Sequence, residues 1–232
     1  MKKEIKSILV LAITTFFFAC DNSDTSDKNH VIIKIKDENG NLVSESSYLL
    51  DTPITDGITK NFNPDGSLNN IVNYVRGRKE GPASFFRNGE KLKECDYTNG
   101  IETGNFMLYN KGNLIQYAFL DKLGNTRYTI DYNENGKIIK KDGKFFYLLY
   151  NSKDTNDDKY SYIVHSAKPP KTIVKFNVCE ENGSCKDYIL KSNEFAVNAY
   201  VSKNNNLFVS GIIIDSLNQT VIDSCKISKS IP

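Results

Sequence analysis

The chain has 232 residues, with 30 Lys or Arg against 28 Asp or Glu. Three of those lysines and one glutamate lie in the first 19 residues, so the rest of the chain carries 27 basic and 27 acidic residues and is formally neutral. A nucleic-acid-binding protein needs a basic face to replace the counterions on phosphates, so this balance argues against nucleic acid as a partner.

Residues 1–19 have the features of a bacterial export signal. A lysine-rich start precedes an apolar run over 7–19 that is shorter than the ~20 apolar residues of a membrane-spanning helix. The run ends in Phe17-Phe18-Ala19-Cys20, which resembles the lipobox of bacterial lipoproteins. The resemblance implies a diacylglyceryl anchor on Cys20 and cleavage before it. The alternative is an ordinary secretory peptide with an incidental cysteine.

Residues 20–30 are predicted to be a disordered tether. After Cys20 the stretch has no apolar side chain and contains three aspartates, so it cannot contribute to a core. An acidic stretch directly after the lipidated cysteine resembles the surface-export signal of Bacteroidota lipoproteins. That resemblance implies attachment to the outer membrane, and it leaves inner or outer leaflet open.

The folded part is predicted to be all-β. Aromatic and β-branched residues alternate with polar ones between Asn-Gly, Asp-Gly and Lys-Gly turns, and helical periodicity is almost absent. Residues 31–58 are expected to form a hairpin with a tight turn at Asn39-Gly40, ended by Pro53 and Asp56-Gly57. We expect this hairpin to cap the segment that follows.

Residues 59–147 contain a phrase repeated about four times. Turn glycines recur at spacings of 23, 23 and 24, each preceded by an aromatic and followed by an aliphatic residue: Gly66, Gly89, Gly112 and Gly136. A second glycine follows at Gly77, Gly100 and Gly124, and a third at Gly81 and Gly104 in the first two units only. Each unit is predicted to be a β-hairpin that stacks on the next in one elongated, twisted sheet. Glycine permits φ > 0 at the turns, and the aromatic residues supply cross-strand packing.

These residues resemble MORN-type repeats of bacterial proteins. The best copies of the phrase are Phe86-Arg-Asn-Gly-Glu-Lys-Leu92, with 96–104 after it, and the segment 74–81. The resemblance covers 62–143 and implies the stacked-hairpin architecture, but it implies little about activity. Bacterial proteins with this repeat variant are often associated with antitoxin or immunity functions.

Residues 148–232 lose the repeat and are predicted to form a small β-sandwich, loosely immunoglobulin-like. Seven strand-like runs, the first beginning just before this segment, are separated by short polar turns: 145–150, 160–165, 172–178, 186–190, 195–201, 207–214 and 220–227.

Four thiols remain if Cys20 is lipidated, and an envelope location permits disulfides. Cys179 and Cys185 are the expected pair if their loop has three or five residues, because both then lie on one face of the hairpin; a two-residue turn would place them on opposite faces. A bridge from either of them to Cys225 is the alternative. Cys95 is expected to be buried. The spacing is poor for zinc, so no metal is predicted.

Motifs of catalysis are missing from the sequence. It has two histidines, His30 and His165, and it lacks a nucleophile elbow, a Walker loop and a HExxH helix, so no catalytic residue and no cofactor are predicted. The aspartates at 154, 157 and 158 lack the fixed ligand spacing of a calcium loop and are expected to be solvated. Asp215-Ser216-Leu217 fits the short O-glycosylation pattern of Bacteroidota.

The leading hypothesis is therefore a non-enzymatic cell-envelope lipoprotein that acts as a protein-interaction or scaffold module with an unidentified protein partner. One alternative is an antitoxin or immunity-type protein that neutralises a toxin at the envelope. Another is a surface glycan or peptide binder, which needs the repeat aromatics exposed in a groove. A specific site is expected at the irregularities of the repeat, near Gly81 and Gly104 or where the sheet meets the sandwich near Tyr147.

Overall fold

The computed structural model describes residues 29–154, 159–190, 196–202 and 206–227. These residues form seventeen β-strands and no helix, which confirms the all-β prediction. Within the described ranges, no helix is long and apolar enough to cross a membrane.

The first ten strands pair antiparallel in chain order as one sheet, which we call the repeat sheet. Its strands are β1 (His30–Lys36), β2 (Leu42–Leu49), β3 (Thr55–Phe62), β4 (Leu68–Val75), β5 (Arg78–Arg87), β6 (Glu90–Thr98), β7 (Ile101–Asn110), β8 (Asn113–Leu120), β9 (Thr126–Tyr132) and β10 (Ile138–Gly143).

Two smaller antiparallel sheets follow, and together we call them the sandwich. The three-stranded sheet has the order β11-β12-β15, and the four-stranded sheet has the order β14-β13-β16-β17. Their strands are β11 (Phe146–Asp154), β12 (Lys159–Ser166), β13 (Thr172–Glu180), β14 (Cys185–Ile189), β15 (Ala196–Ser202), β16 (Leu207–Asp215) and β17 (Thr220–Ile227). Each of the seven runs expected from the sequence overlaps one of these strands.

The expected segment boundaries fall inside strands. The boundary expected after residue 58 lies within β3, which spans Thr55–Phe62. Strand β2 pairs directly with β3 through Ser44↔Asn61 and Ser46↔Thr59, so no break separates the first hairpin from the repeat. The expected N-terminal hairpin is therefore the first two strands of the repeat sheet. Likewise, the boundary after residue 147 lies within β11.

Eight of the nine turns that join the strands of the repeat sheet contain a glycine, and these eight are of two kinds. Both central residues have positive φ at Arg76-Gly77, Asn88-Gly89, Asn99-Gly100 and Lys111-Gly112, which is the signature of tight type I′ hairpins. In the other repeat-sheet turns with a glycine, the glycine N–H donates to the carbonyl three residues before it, at Gly40, Gly66, Gly124 and Gly136. An Asp or Asn side chain in each of these turns also accepts from a turn amide. At Gly124, for example, Asp121 Oδ1 accepts from the backbone N of Leu123 at 2.9 Å.

The third glycine of the repeat lies inside a strand, at a β-bulge. The register of β5 against β4 shifts across Gly81, and that of β7 against β6 shifts across Gly104. Gly57 occupies the same kind of position in β3, where it has positive φ and pairs with Tyr74. The expectation that Asp56-Gly57 ends the first hairpin is therefore wrong. This glycine lies at a bulge, where the extra residue bends the strand and increases its twist.

One face of the repeat sheet has its own thin core, and we call it the small-residue face. A row of residues runs directly across it from strand to strand: Ser46, Thr59, Val72, Ala83, Cys95, Phe106 and Ala118. Tyr74, Phe85 and Tyr97 pack over this row. Cys95 is 3% exposed, as expected, and burial raises the pKa of its thiol to about 11.

The opposite face of β8 and β9 lies under the sandwich. Tyr117, Phe119 and Tyr128 belong to the same hydrophobic core as Phe145 and Phe176. The Tyr128 and Phe145 rings meet edge to face with their centroids 6.1 Å apart. A repeat sheet needs its ends covered, and the sandwich covers this one.

We predict that Gly143→Ala is much more destabilising than Gly89→Ala. Both glycines have positive φ, but a Cβ on Gly143 would approach the backbone oxygen of Arg127 in a severe clash, whereas a Cβ on Gly89 would meet nothing within 4 Å. The control should lose about 1–2 kcal/mol from its φ alone, and Gly143→Ala should lose at least about 2 kcal/mol more. Urea denaturation measures both, and equal losses would contradict the close approach.

Candidate interaction site

A groove of about 690 Å³ lies where the repeat sheet meets the sandwich. One wall consists of Asn105 and Met107 of β7. The other wall consists of residues 168–172, which lead from β12 into β13, together with the ends of β13 and β14. The groove is thus built from segments that lie more than 60 residues apart in the chain.

Tyr117 holds the two walls together. Its side chain is fully buried, and its hydroxyl donates to Asn105 Oδ1 at 2.6 Å and accepts from the backbone N of Lys168 at 2.8 Å. Burial raises the pKa of this phenol well above its usual value, so the hydroxyl keeps its proton. Lys168 is fixed further because its Nζ donates to the Leu190 carbonyl at 3.1 Å.

The sandwich side of the groove is basic. Lys168, Lys171 and Lys175 line it, and the last two are exposed. No Asp or Glu is among the described residues that form the lining. Positive charge in a concave site attracts acidic groups and speeds their encounter with the protein.

The groove continues onto an exposed apolar surface, which we call the isoleucine face. It is the outer side of the four-stranded sheet, where Ile189, Lys175, Ile212 and Ile222 lie directly opposite one another. Ile173 is 52%, Ile189 60% and Ile222 70% exposed. A half-solvated antiparallel sheet normally presents polar residues outwards, so this group of exposed isoleucines makes the face a candidate interaction surface.

The structure joins Cys179 and Cys185 in a disulfide, with their Cα atoms 4.1 Å apart. The two residues are directly opposite each other in the β13–β14 register, with five residues between them. Cys225 is a free, exposed thiol outside this bridge. The disulfide lies at the tip of the hairpin whose other end borders the groove.

Several residues singled out in the sequence lie either outside the described ranges or away from the groove. Cys20 and the aspartates at 157 and 158 lie outside the described residues, and the side chain at 154 is likewise not described. The described ranges contain no group of three or more His, Cys, Asp or Glu residues that could hold a metal ion. Ser216 is exposed, in a turn whose amides donate to the Asp215 carboxylate.

The junction near Tyr147 is closed by stacked rings. The Tyr147 ring stacks on the His165 ring at 5.2 Å, and the Arg127 guanidinium lies 5.6 Å from the Tyr147 centroid. Arg127 also pairs with the nearly buried carboxylate of Asp121 at 2.6 Å. Burial, with Lys122 nearby, lowers the pKa of His165 and so favours the neutral form of its ring. The groove opens at a different part of the junction, where Asn105 follows Gly104 in β7.

Lysines of the chain lie over three aromatic rings of the repeat sheet, whereas the repeat aromatic Phe86 lines a separate groove on that sheet. Lys93 Nζ lies 4.6 Å from the centroid of Phe85 and 5.3 Å from that of Phe106, and Lys79 lies 4.9 Å from the ring of Tyr97. Lys93 also pairs with a glutamate of β7 at 2.6 Å. The chain's own lysines therefore cover these rings, which favours a structural role for them over a role in stacking on sugars.

Sequence reasoning missed the lysines and isoleucines of the groove. Two weak signals were present. Lys168-Pro-Pro-Lys171 marks a rigid, basic connection, and Ile212-Ile-Ile214 places apolar side chains on both faces of β16. Neither signal indicates that β7 lies opposite.

No protein family model matches the chain, and no curated protein matches it in sequence. Solved structures with a similar part include TarM, at 16% identity and a TM-score of 0.30. They also include a mutant of S. aureus TarM in complex with fondaparinux, α-GlcNAc-glycerol and UDP, at 15% identity and a TM-score of 0.30. Each similarity covers 49% of this chain and 19% of the other, so the chain matches only a small part of those proteins. Similarity at this level supports no conclusion about fold or activity.

We predict that Tyr117→Phe destabilises the protein and Tyr128→Phe does not. Removing the Tyr117 hydroxyl takes away the hydrogen-bond partner of both Asn105 Oδ1 and the Lys168 amide. This loss should lower the free energy of unfolding by about 1–3 kcal/mol. The buried Tyr128 hydroxyl has no hydrogen-bond partner among the described residues, so its removal should leave the free energy of unfolding unchanged or raise it. Urea denaturation of both variants tests this, and similar losses in both would contradict the role of Tyr117.

Proposed function

We propose that this protein is a non-enzymatic lipoprotein of the cell envelope that acts as a protein-interaction or scaffold module. The observation that carries the proposal is the groove with its adjoining isoleucine face. Lys171 and Lys175 border exposed isoleucines there, and the walls are held in place by the buried Tyr117. An apolar patch with a polar rim is the common anatomy of a protein-binding surface.

The proposed anchor is the lipidated Cys20. Residues 21–29 separate it from β1, so even a fully extended tether keeps the start of the repeat sheet within ~36 Å of the lipid. The acidic tether supports attachment to the outer membrane, in either leaflet. A partner would then be another envelope component or a protein that reaches the envelope.

We further propose that the repeat sheet is of the MORN type. The support is the recurrence of turn glycines every 23 or 24 residues and of bulge glycines at Gly57, Gly81 and Gly104. Both sets of glycines have positive φ at equivalent points of successive hairpins. This assignment concerns architecture and adds no ligand.

Replacing Cys20 by Ala should release the protein from membranes, because the thiol that takes the lipid is lost. The measurement is the distribution of the full chain between soluble and membrane fractions after export. The matched control is Cys225→Ala, which removes an exposed thiol and should leave the distribution unchanged. Retention of the Cys20→Ala chain in membranes would contradict the anchor.

Site-specific photo-crosslinking in cells tests the interaction surface. A benzoylphenylalanine at Ile189, on the groove, should give a discrete adduct in the membrane fraction. The same probe at Ile32, which is 61% exposed on β1 of the repeat sheet, is the matched control and should give none. No adduct at Ile189, or the same adducts at both sites, would contradict the proposal. An adduct with a toxin would support the immunity alternative.

A further inference from the structure

Strand β14 is an open edge of the four-stranded sheet. The sheet order places β14 outermost, and among the described residues no strand pairs with its outer side. Four of its five residues are exposed, and its last residue, Ile189, lines the groove. Unpaired strand edges are templates on which another extended chain can add.

The register shows which backbone groups face outwards. Antiparallel partners alternate between pairs that share hydrogen bonds and pairs that do not. Glu180 N donates to Ser184 O at 2.8 Å, and Leu190 N donates to Val174 O at 3.0 Å, so these two positions belong to the bonded set. Cys185, Asp187 and Ile189 belong to the other set, and their N–H and C=O groups point away from β13.

The charges beside this edge favour an acidic ligand. Lys171 and Lys175 project from the groove lining, and Lys186 lies on β14 itself. The one carboxylate on β14, Asp187, accepts a hydrogen bond from the Asn177 side-chain amide at 2.7 Å. A ligand carboxylate at the groove would therefore meet lysines, which form strong charge-assisted hydrogen bonds.

The edge is also held in a fixed position. The disulfide ties the first residue of β14 to β13 at one end, and the Leu190 amide bonds to β13 at the other. A binding strand therefore meets a preformed template, which lowers the entropy cost of association.

We propose that the groove binds an extended acidic segment of a partner protein, which pairs with β14 as a further strand of the sheet. This rests on the proposed interaction function and adds to it the chemistry and conformation of the bound segment. Main-chain hydrogen bonds to β14 supply affinity, while the lysines and the exposed isoleucines select acidic and apolar side chains.

Three synthetic peptides test the binding mode, with fluorescence anisotropy on the full chain in detergent micelles. They are a labelled (Glu-Val)₄ peptide, its (Lys-Val)₄ counterpart, and (Glu-Val)₄ methylated on alternate amide nitrogens. The first should bind saturably and at least about tenfold more tightly than either of the others. Equal binding of the acidic and basic peptides, or no saturable binding of any, would overturn the proposal.

A proline in β14 supplies a matched test within the protein. Asp187→Pro removes an outward N–H and leaves the pairing with β13 in place, as proline does at a sheet edge. It should weaken binding of (Glu-Val)₄ by at least about tenfold with little change in Tm. Asp187→Asn keeps the N–H and should bind the peptide at least as tightly as the unmodified chain. Equal binding by the two variants would overturn strand addition.

The basic side is tested with Lys171→Glu/Lys175→Glu against Lys140→Glu, which changes an exposed lysine on β10 outside the groove. The double variant should lose the acidic peptide and the control should retain it. A different result would identify a second copy of the chain as the occupant of the groove. In that case the chain self-associates, Asp187→Pro abolishes the self-association, and no peptide binds. Crosslinking at Ile189 that persists unchanged in Asp187→Pro would leave the interaction function standing and remove only the strand-addition mode.

Discussion

The structure depends on the burial of one end of the repeat sheet under the sandwich. A single-layer sheet of hairpins buries little apolar area, and the small-residue face supplies only the thin core around Val72, Ala83 and Cys95. The larger core forms where Tyr117 and Tyr128 meet the phenylalanines that begin the sandwich. Apolar burial is the main favourable term in folding. The stability of the rest of the repeat sheet therefore depends on the core at this junction.

The same junction forms the candidate site. Tyr117 belongs to the core through its ring and links the groove walls through its hydroxyl, so the packing of the core and the shape of the candidate site depend on one residue. The Cys179–Cys185 disulfide fits this arrangement, because it holds the edge strand beside the groove. Closing so short a loop is worth about 2 kcal/mol in the chain-entropy view.

Local patterns were enough to predict the strands and turns, and not enough to predict what the strands pack against. Alternation and Asn-Gly pairs fix a hairpin within a dozen residues, so the all-β class followed directly. The sequence predicts a turn at Gly57 because a glycine is needed equally at a turn and at a bulge, since both require positive φ. The residues around Gly211 in the sequence do not indicate why a glycine is required there. It is required because a Cβ at this position would lie 2.6 Å from the nearest atom of the Phe176 ring. The groove joins β7 to residues 168–175 in the same long-range way.

Native-state hydrogen exchange, followed by mass spectrometry in sub-denaturing urea, tests the central claim most directly. The claim is that β8 and β9 share one cooperative core with the sandwich. Amides of Asn113–Leu120 in β8 and of Thr172–Glu180 in β13 should then open with the same free energy and the same dependence on urea. Opening of β8 at a much lower free energy, while β13 stays protected, would show that the repeat sheet and the sandwich fold separately.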